Sequence, residues 1–235
     1  MICGFNGKKI ISSRKIPIVN LNEKKISNAL KAFNKKKVKI IISSVVPNIE
    51  TQFIRYLKEY NLDFSSIKDL RKQIDIKTNI INKKEIGDDR IVNIFYAKEL
   101  YEKSVIVVDF GTATTFDILN QKGIYDGGII TPGIDLSLKA LNDNTAKLPL
   151  VKFRKTKKIV GLSTEQAIES GFFWGYISMV QGLINKIEIE QRDKFRIILT
   201  GGNANYFKKI FKNVLSVDEF FTSKALNNFI NWEKK

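Results

Sequence analysis

The sequence predicts an α/β protein built from two halves with the same order of elements. Short β-branched runs alternate with segments whose apolar residues recur at helical spacing. Each half follows the order strand hairpin, helix, strand, helix, and no low-complexity linker separates the halves. We therefore expect two domains, residues 1–102 and 103–235, with the boundary near residues 101–104.

In the first half, the Asn6-Gly7 pair predicts a hairpin within residues 1–17, because this dipeptide favours tight two-residue turns. Asn22 is a candidate N-cap for the helix that follows. The remaining elements are predicted at residues 22–34 (helix), 38–46 (strand), 48–60 (helix), 74–76 (short strand) and 90–103 (helix, with Leu100 facing inward).

The second half opens with the apolar strand at residues 105–108. Ser163 is a candidate N-cap for a long apolar helix that contains the aromatic run Phe172, Phe173 and Trp174. That run fits either core packing or a subunit interface. The other elements are predicted at residues 116–119 and 123–130 (strands), 134–141 and 163–189 (helices), 195–199 (strand), and 204–212 and 223–232 (helices).

Composition narrows the possible chemistry. The 235 residues are 43% hydrophobic, which is enough for a substantial core, and Cys3 is the only cysteine. With no histidine in the sequence, carboxylates are the expected acid–base groups. No apolar run reaches the roughly 18 residues that a membrane span needs, and no signal peptide is evident, so a cytoplasmic protein is expected.

The formal charge of +16 raises the question of nucleic-acid binding. The lysines are spread along the chain, and no basic motif is interleaved with aromatic residues. We therefore expect solvated surface lysines and no nucleic-acid partner, although a basic surface would attract small anionic substrates.

Three turns are candidate ligand sites. Asp109, Gly111 and Thr112 lie in a threonine-rich turn between two strands, where a glycine lets a ligand approach and a carboxylate suits a cation. The second turn is Gly87-Asp88-Asp89-Arg90, and the third is Thr200-Gly201-Gly202-Asn203. Taken singly, each has an ordinary alternative: a β-turn, an acidic helix cap and a tight βα turn, respectively.

Together the three turns and four further runs resemble the type III pantothenate kinase family, also called the Bvg accessory factor family. The resemblance extends in order and spacing from Gly4 through essentially the whole chain. The runs are Ser43-Ser-Val-Val-Pro47, Gly87-Asp-Asp-Arg90, Asp109-Phe-Gly-Thr-Ala-Thr-Thr-Phe-Asp117, Tyr125-Asp-Gly-Gly-Ile-Ile-Thr-Pro-Gly133, Thr145-Ala-Lys-Leu-Pro149, Gly161-Leu-Ser-Thr164 and Thr200-Gly-Gly-Asn203.

The resemblance implies two ribonuclease H-like domains of the acetate and sugar kinase/actin superfamily, with the active site between them. It also implies ATP-dependent phosphorylation of pantothenate to 4'-phosphopantothenate, the first step of coenzyme A synthesis, by a homodimer. A monovalent cation, K⁺ or NH₄⁺, is expected as cofactor, together with Mg²⁺ accompanying ATP.

The same resemblance implies roles for individual residues. Asp89 is the expected general base toward the pantothenate hydroxyl, and Asp109 is the expected ligand of the monovalent cation. The remaining expected contacts are Gly87, Asp88, Arg90 and Thr164 with pantothenate, and Gly111, Thr112, Gly201 and Gly202 with ATP.

Two departures from the family pattern set up a competing expectation. Family members begin with a strand that ends in an Asp-x-Gly-Asn-Thr phosphate turn, whereas Met1 aligns after that turn. We expect either that the true start lies upstream or that the chain is a degenerate, regulatory relative. In addition, Ile80 occupies the position of a tyrosine that contacts substrate in the family.

Overall fold

A computed structural model describes residues 1–15, 22–30, 38–44, 46–71, 74 and 76–232. The chain divides into two units: Met1–Asp75, Asn82–Tyr96 and Thr222–Lys235 form the first, and Ile76–Ile81 with Ala97–Phe221 form the second. The elements in chain order are β1 (Ile2–Asn6), β2 (Lys9–Arg14), α1 (Glu23–Leu30), β3 (Lys39–Ile42), α2 (Pro47–Glu59), β4 (Asp63–Ser66), α3 (Ile67–Leu70), α4 (Asp88–Leu100), β5 (Val105–Phe110), β6 (Ala113–Leu119), β7 (Tyr125–Pro132), α5 (Ile134–Asp143), α6 (Thr164–Gln191), β8 (Arg196–Thr200), β9 (Val214–Val217) and α7 (Phe221–Trp232).

In the first unit, the predicted hairpin is confirmed. Strands β1 and β2 pair antiparallel, and Gly7 in their turn has a φ of 58°, which glycine adopts at little cost. Asn22 caps α1 as predicted, because its Oδ1 accepts the Lys25 backbone N–H at 3.0 Å. The predicted helix residue Phe33 lies outside the described residues.

The second pair of strands in this unit was only partly predicted. Strand β3 pairs in parallel with β4, which the sequence analysis missed, and α2 connects them. The strand expected at residues 74–76 is wrong: neither Ile74 nor Ile76 lies in a strand. Within the described residues, the strands of this unit form two separate two-stranded sheets, β1-β2 and β3-β4.

The first unit has its own apolar core. Helices α1 and α2 pack against the β3-β4 pair through a cluster of buried side chains that is centred on Tyr56 and Leu57. Elsewhere in the unit, the rings of Phe95 in α4 and Phe229 in α7 stack with centroids 4.7 Å apart. Leu100, which lies at the end of α4 and belongs to the second unit, was expected to face inward but is 48% exposed.

The second unit is organised around one five-stranded sheet in the order β7-β6-β5-β8-β9. Strands β5, β6 and β7 form an antiparallel meander, whereas β8 pairs in parallel with β5 and β9 in parallel with β8. The strand β5 lies at the centre, and Val105, Ile106, Val107 and Val108 are fully buried, as their apolar run predicts. Because β5 and β8 are parallel, the turns that follow them lie at the same end of the sheet.

Buried apolar side chains of helices α5 and α6 pack against strands β5, β6 and β8 to form much of the core of the second unit. Ser163 caps α6 as predicted, since its Oγ accepts the Gln166 backbone N–H at 3.3 Å. Phe173 is buried, and Phe172 and Trp174 pack against the same core, which supports the core-packing alternative for this aromatic run.

Two predictions near the C-terminal end were inaccurate. Only a 3-10 turn at Ala204–Phe207 replaces the helix expected at residues 204–212, and β9 was not predicted. In the part of the chain that the structure describes, no helix has the length and apolar character that crossing a bilayer requires.

Candidate active site

The candidate residues fall into two sets, one in each unit. Residues 87–90 belong to the first unit, and Asp109, Gly111, Thr112, Thr164, Gly201 and Gly202 belong to the second.

In the first unit, the 87–90 turn forms the start of α4. Asp88 and Asp89 occupy the first turn of the helix, where the helix dipole favours negative charge. Asp89 Oδ1 accepts the backbone N–H of the next residue, Arg90, at 2.9 Å, which is not the N2 or N3 contact that a helix cap makes. A Cβ on Gly87 would lie 2.7 Å from Asp89 Oδ1, so any side chain at residue 87 would displace the Asp89 carboxylate.

Asp88 has a different environment from Asp89. Its side chain is 7% exposed, and its Oδ1 accepts a hydrogen bond of 3.1 Å from Arg71 Nη1. Burial raises the pKa of Asp88, and the positive charge of Arg71 opposes that rise. Asp88 is therefore a buried ion-pair partner, whereas Asp89 is half-buried at the helix terminus.

In the second unit, the predicted ligand turn is the tip of the β5-β6 hairpin. Asp109 is half-buried on β5, and Gly111 and Thr112 are exposed at the tip. The Gly111 N–H donates to the Ala113 carbonyl at 3.1 Å, and the Gly133 N–H donates to the Thr112 carbonyl at 2.9 Å. The tip is thus held by the backbone at the start of α5.

Glycines bring three turns of this unit into close contact. A Cβ on Gly133 would lie 2.7 Å from the Thr112 carbonyl carbon. Gly201 has a φ of 87°, and a Cβ there would lie 2.6 Å from the Phe110 carbonyl oxygen and also too close to Asp109 Oδ1. The structure therefore brings together Asp109, Gly111, Thr112 and Gly201, with Gly202 exposed beside them.

Two buried hydroxyls in these strands lack a hydrogen-bond partner among the described residues: Thr114 Oγ1 and Thr200 Oγ1. In the sheet register, Thr114 lies opposite Phe110 and Thr200 lies opposite Asp109. Because buried polar groups are usually paired, unsatisfied hydroxyls next to the ligand turns are compatible with water or a ligand at this end of the sheet.

Thr164 occupies a separate part of the second unit. It is the first residue of α6 and is exposed. The preceding turn is tightly packed, since a Cβ on Gly161 would lie 2.5 Å from the carbonyl carbon of Gln166. The Gln166 side chain also accepts the Leu162 backbone N–H at 2.9 Å. The loop before Thr164 is therefore fixed to its helix.

The sequence analysis gave no role to two polar residues that make side-chain hydrogen bonds in these units. One is Arg71, which lies 17 positions before Asp88 in the chain. The other is Asp117, which is fully buried and accepts a hydrogen bond of 2.6 Å from the Tyr125 hydroxyl. The apolar residues around Asp117 offered a signal, because they place an acidic residue among Phe116, Ile118 and Leu119, all of which are buried.

The donor atoms at the β5-β6 tip fit a hard cation. Asp109 supplies carboxylate oxygens, and backbone carbonyls of Phe110, Gly111 and Thr112 lie close to the packed glycines. Oxygen-only donors suit cations such as K⁺ and Mg²⁺ rather than zinc or copper. No group of three or more His, Cys, Asp or Glu side chains able to hold a metal ion occurs in the described ranges.

Comparisons with known proteins agree on one family. A family model described as type III pantothenate kinase matches residues 2–186. A type III pantothenate kinase of Persephonella marina is 42% identical over 198 residues, which cover 82% of this chain and 74% of the relative. The type III pantothenate kinase of Pelagibacter ubique is 36% identical over 232 residues, covering 96% of this chain and 92% of the relative.

Among solved structures, the crystal structure of a conserved putative Baf family transcriptional activator from Campylobacter jejuni is similar in fold. The TM-score is 0.61 at 20% sequence identity, and the match covers 89% of this chain and 88% of the other. At this identity the likeness concerns the fold alone, and it agrees with the α/β architecture expected from the sequence.

Proposed function

Because the chain belongs to the type III pantothenate kinase family, we propose that it transfers the terminal phosphoryl group of ATP to the hydroxyl of pantothenate. The product is 4'-phosphopantothenate, and the reaction is the first step of coenzyme A synthesis. The observation that carries this proposal is the match of residues 2–186 to the family model, in which both sets of candidate turns are included up to Thr164.

In the proposed mechanism, Asp89 is the general base that accepts the proton of the pantothenate hydroxyl. Its position supports this role: the carboxylate is half-buried at the start of α4 and is held by one backbone N–H at 2.9 Å. Phosphoryl transfer depends chiefly on positioning and charge neutralisation, and a single base to orient the nucleophile suffices. Gly87, Asp88, Arg90 and Thr164 are proposed to contact pantothenate.

The second unit is proposed to bind ATP through Gly111, Thr112, Gly201 and Gly202. Gly111 and Thr112 are exposed at the β5-β6 tip and Gly202 is exposed after β8, so phosphate oxygens can approach the main chain there. Asp109 is the proposed ligand of a monovalent cation, K⁺ or NH₄⁺, and Mg²⁺ would accompany ATP. Such cations neutralise phosphate charge as it redistributes during transfer.

We also propose that the chain acts as a homodimer in the cytoplasm. Large apolar side chains are exposed in the segment that leads into α6, where Leu162 is 83% and Val160 71% exposed. Exposed apolar side chains in one segment favour a protein contact. Multi-angle light scattering on the purified chain tests the subunit number, and a monomer at micromolar concentration would contradict the dimer.

The function is tested by coupled measurement of ADP release. We expect release that requires pantothenate, is faster in KCl than in NaCl, and loses this preference in Asp109→Asn. ADP release that is independent of pantothenate, or none in either salt, would contradict the proposal.

A regulatory relative without turnover is the second candidate. Ile80 stands where the resemblance to the family places a substrate-contacting tyrosine. Ile80 lies against β7, since a Cβ on Gly127 would be 3.8 Å from its Cγ1. Pantothenate-dependent turnover that is abolished by Asp89→Asn would rule out this candidate.

A further inference from the structure

In the first unit, the Arg71 guanidinium donates hydrogen bonds to three residues of the segment 83–88, which leads into the candidate site. Its Nη1 donates to the Ile86 carbonyl at 2.9 Å and to Asp88 Oδ1 at 3.1 Å. Its Nη2 donates to the Lys83 carbonyl. The three acceptors lie at the beginning, near the end and at the end of residues 83–88, so one side chain holds the segment that leads into Asp89.

Arg71 is itself held in place by its own element. It follows α3 directly, and its backbone N–H donates to the Ile67 carbonyl as the helix C-cap. The start of α3 is fixed in turn, because Ser66 caps it and donates to Glu50 Oε1 at 3.1 Å. Glu50 is buried in α2 and pairs with Lys68. A polar network thus connects α2 and α3 to the 83–88 segment.

The segment has little other support of its own. The 3-10 turn at Lys83–Glu85 has no buried residue, and its cap is the local Asn82 side chain. Ile86 is the buried apolar anchor that precedes Gly87. A guanidinium with donors in a fixed plane can hold two carbonyls and a carboxylate at once, and a lysine ammonium cannot reproduce that geometry.

We infer that Arg71 is a positioning residue for catalysis, which holds residues 83–88 so that Asp89 is presented to the substrate hydroxyl. This inference rests on the proposed kinase function. Arg71 acts through the segment and through Asp88, and it does not itself act as base. Small displacements of a reacting group cost large factors in rate, so loosening the segment should lower turnover rather than ATP binding.

The test compares Arg71→Lys and Arg71→Met with Arg55→Met. Arg55 is a matched control, because it lies on α2 in the same unit but is 68% exposed, with only distant ion-pair contacts of 3.8 Å to Glu23 and Glu59. We expect kcat to fall about tenfold in Arg71→Lys and about a hundredfold in Arg71→Met, with the KM for ATP unchanged. Arg55→Met should match the wild type.

A pH titration of Asp88 separates positioning from a purely structural role. The charged groups that act on Asp88 are Arg71, Lys68 and Glu50. Removing Arg71 removes the largest influence that keeps the carboxyl of Asp88 ionised, so the pKa of Asp88, followed by an NMR titration, should be higher in Arg71→Met than in the wild type. In Arg71→Lys the shift should be smaller, since the positive charge is retained.

Limited trypsin digestion gives a readout that does not depend on kinase activity. Cleavage after Lys83 and Lys84 should be faster in Arg71→Met than in Arg55→Met, because the segment opens locally more often.

The outcomes separate the inference from the proposed function. A wild-type chain without turnover would overturn the proposed function, and the digestion would then still decide whether Arg71 holds the segment. If Arg71→Met does not fold, the kcat of Arg71→Lys tests the inference. Unchanged kcat and an unchanged pKa of Asp88 in a folded Arg71→Lys, or unchanged cleavage in Arg71→Met, would overturn the inference.

Discussion

At the scale of single residues, the position of Asp89 depends on the absence of a side chain at residue 87. A Cβ on Gly87 would lie 2.7 Å from Asp89 Oδ1, which is the far end of a flexible side chain. The fold can therefore accommodate an alanine by moving the carboxylate, and the proposed base loses its orientation while the chain stays folded.

We predict that Gly87→Ala lowers kcat by about tenfold to a hundredfold with little change in the thermal unfolding midpoint. Gly171→Ala is the matched control, because Gly171 lies in α6 and a Cβ there meets nothing within 4 Å. The measurement is steady-state ADP release alongside thermal unfolding. A Gly87→Ala variant with wild-type kcat would contradict the proposed role of Asp89.

At this scale the sequence identified candidate site residues more easily than the residues that hold them in place. The acidic pair and the glycine of the 87–90 turn are adjacent in sequence, so the motif shows them together. The sequence could not show that Asp88 is buried against Arg71 while Asp89 is half-buried, because that difference arises from a side chain 17 positions away. Long-range hydrogen bonds to backbone carbonyls leave no pattern in a single sequence.

At the scale of elements, the turns after β5 and β8 are joined by glycine contacts. Gly201 has a φ of 87°, and a Cβ there would meet the backbone oxygen of Phe110 at 2.6 Å. Unlike the contact at Gly87, this one involves backbone, which cannot move without disturbing β5. A side chain at residue 201 should therefore lower the stability of the fold and disturb the turn that is proposed to bind ATP.

We predict that Gly201→Ala lowers the free energy of unfolding by about 1–3 kcal/mol, since a non-glycine residue in this backbone region is strained. It should also weaken ATP binding measured by calorimetry. In contrast, Gly182→Ala in α6 should raise the unfolding free energy by about 0.5–1 kcal/mol, because a Cβ there is unobstructed and alanine favours helix. If Gly201→Ala is as stable as the wild type and binds ATP equally, the glycine contacts do not organise this end of the sheet.

Helices and strands whose apolar residues recur at a regular spacing could be predicted from the sequence, whereas short or irregular elements could not. The apolar run of β5 and the capped helices α1 and α6 were predicted correctly. Strands β4 and β9 are only four residues each, too short for alternation to distinguish them from loops. The helix predicted at residues 204–212 gives way to a short 3-10 turn, because Lys209 and Asn213 adopt positive φ values.

At the scale of the whole molecule, the two units differ in how their strands pair. The second unit has a central strand, β5, between the meander and the parallel strands. The described strands of the first unit comprise an antiparallel hairpin and a parallel pair, with no strand joining them. The match to the family model confirms the family that the sequence motifs suggested.

The most direct test of the account is detection of 4'-phosphopantothenate by mass spectrometry after incubation with ATP, pantothenate and KCl. We predict that the wild-type chain forms the product and that Asp89→Asn forms it at a rate lower by about 10²–10⁴-fold, the usual contribution of a general base. Product at the wild-type rate from Asp89→Asn, or no product from any folded version, would contradict it.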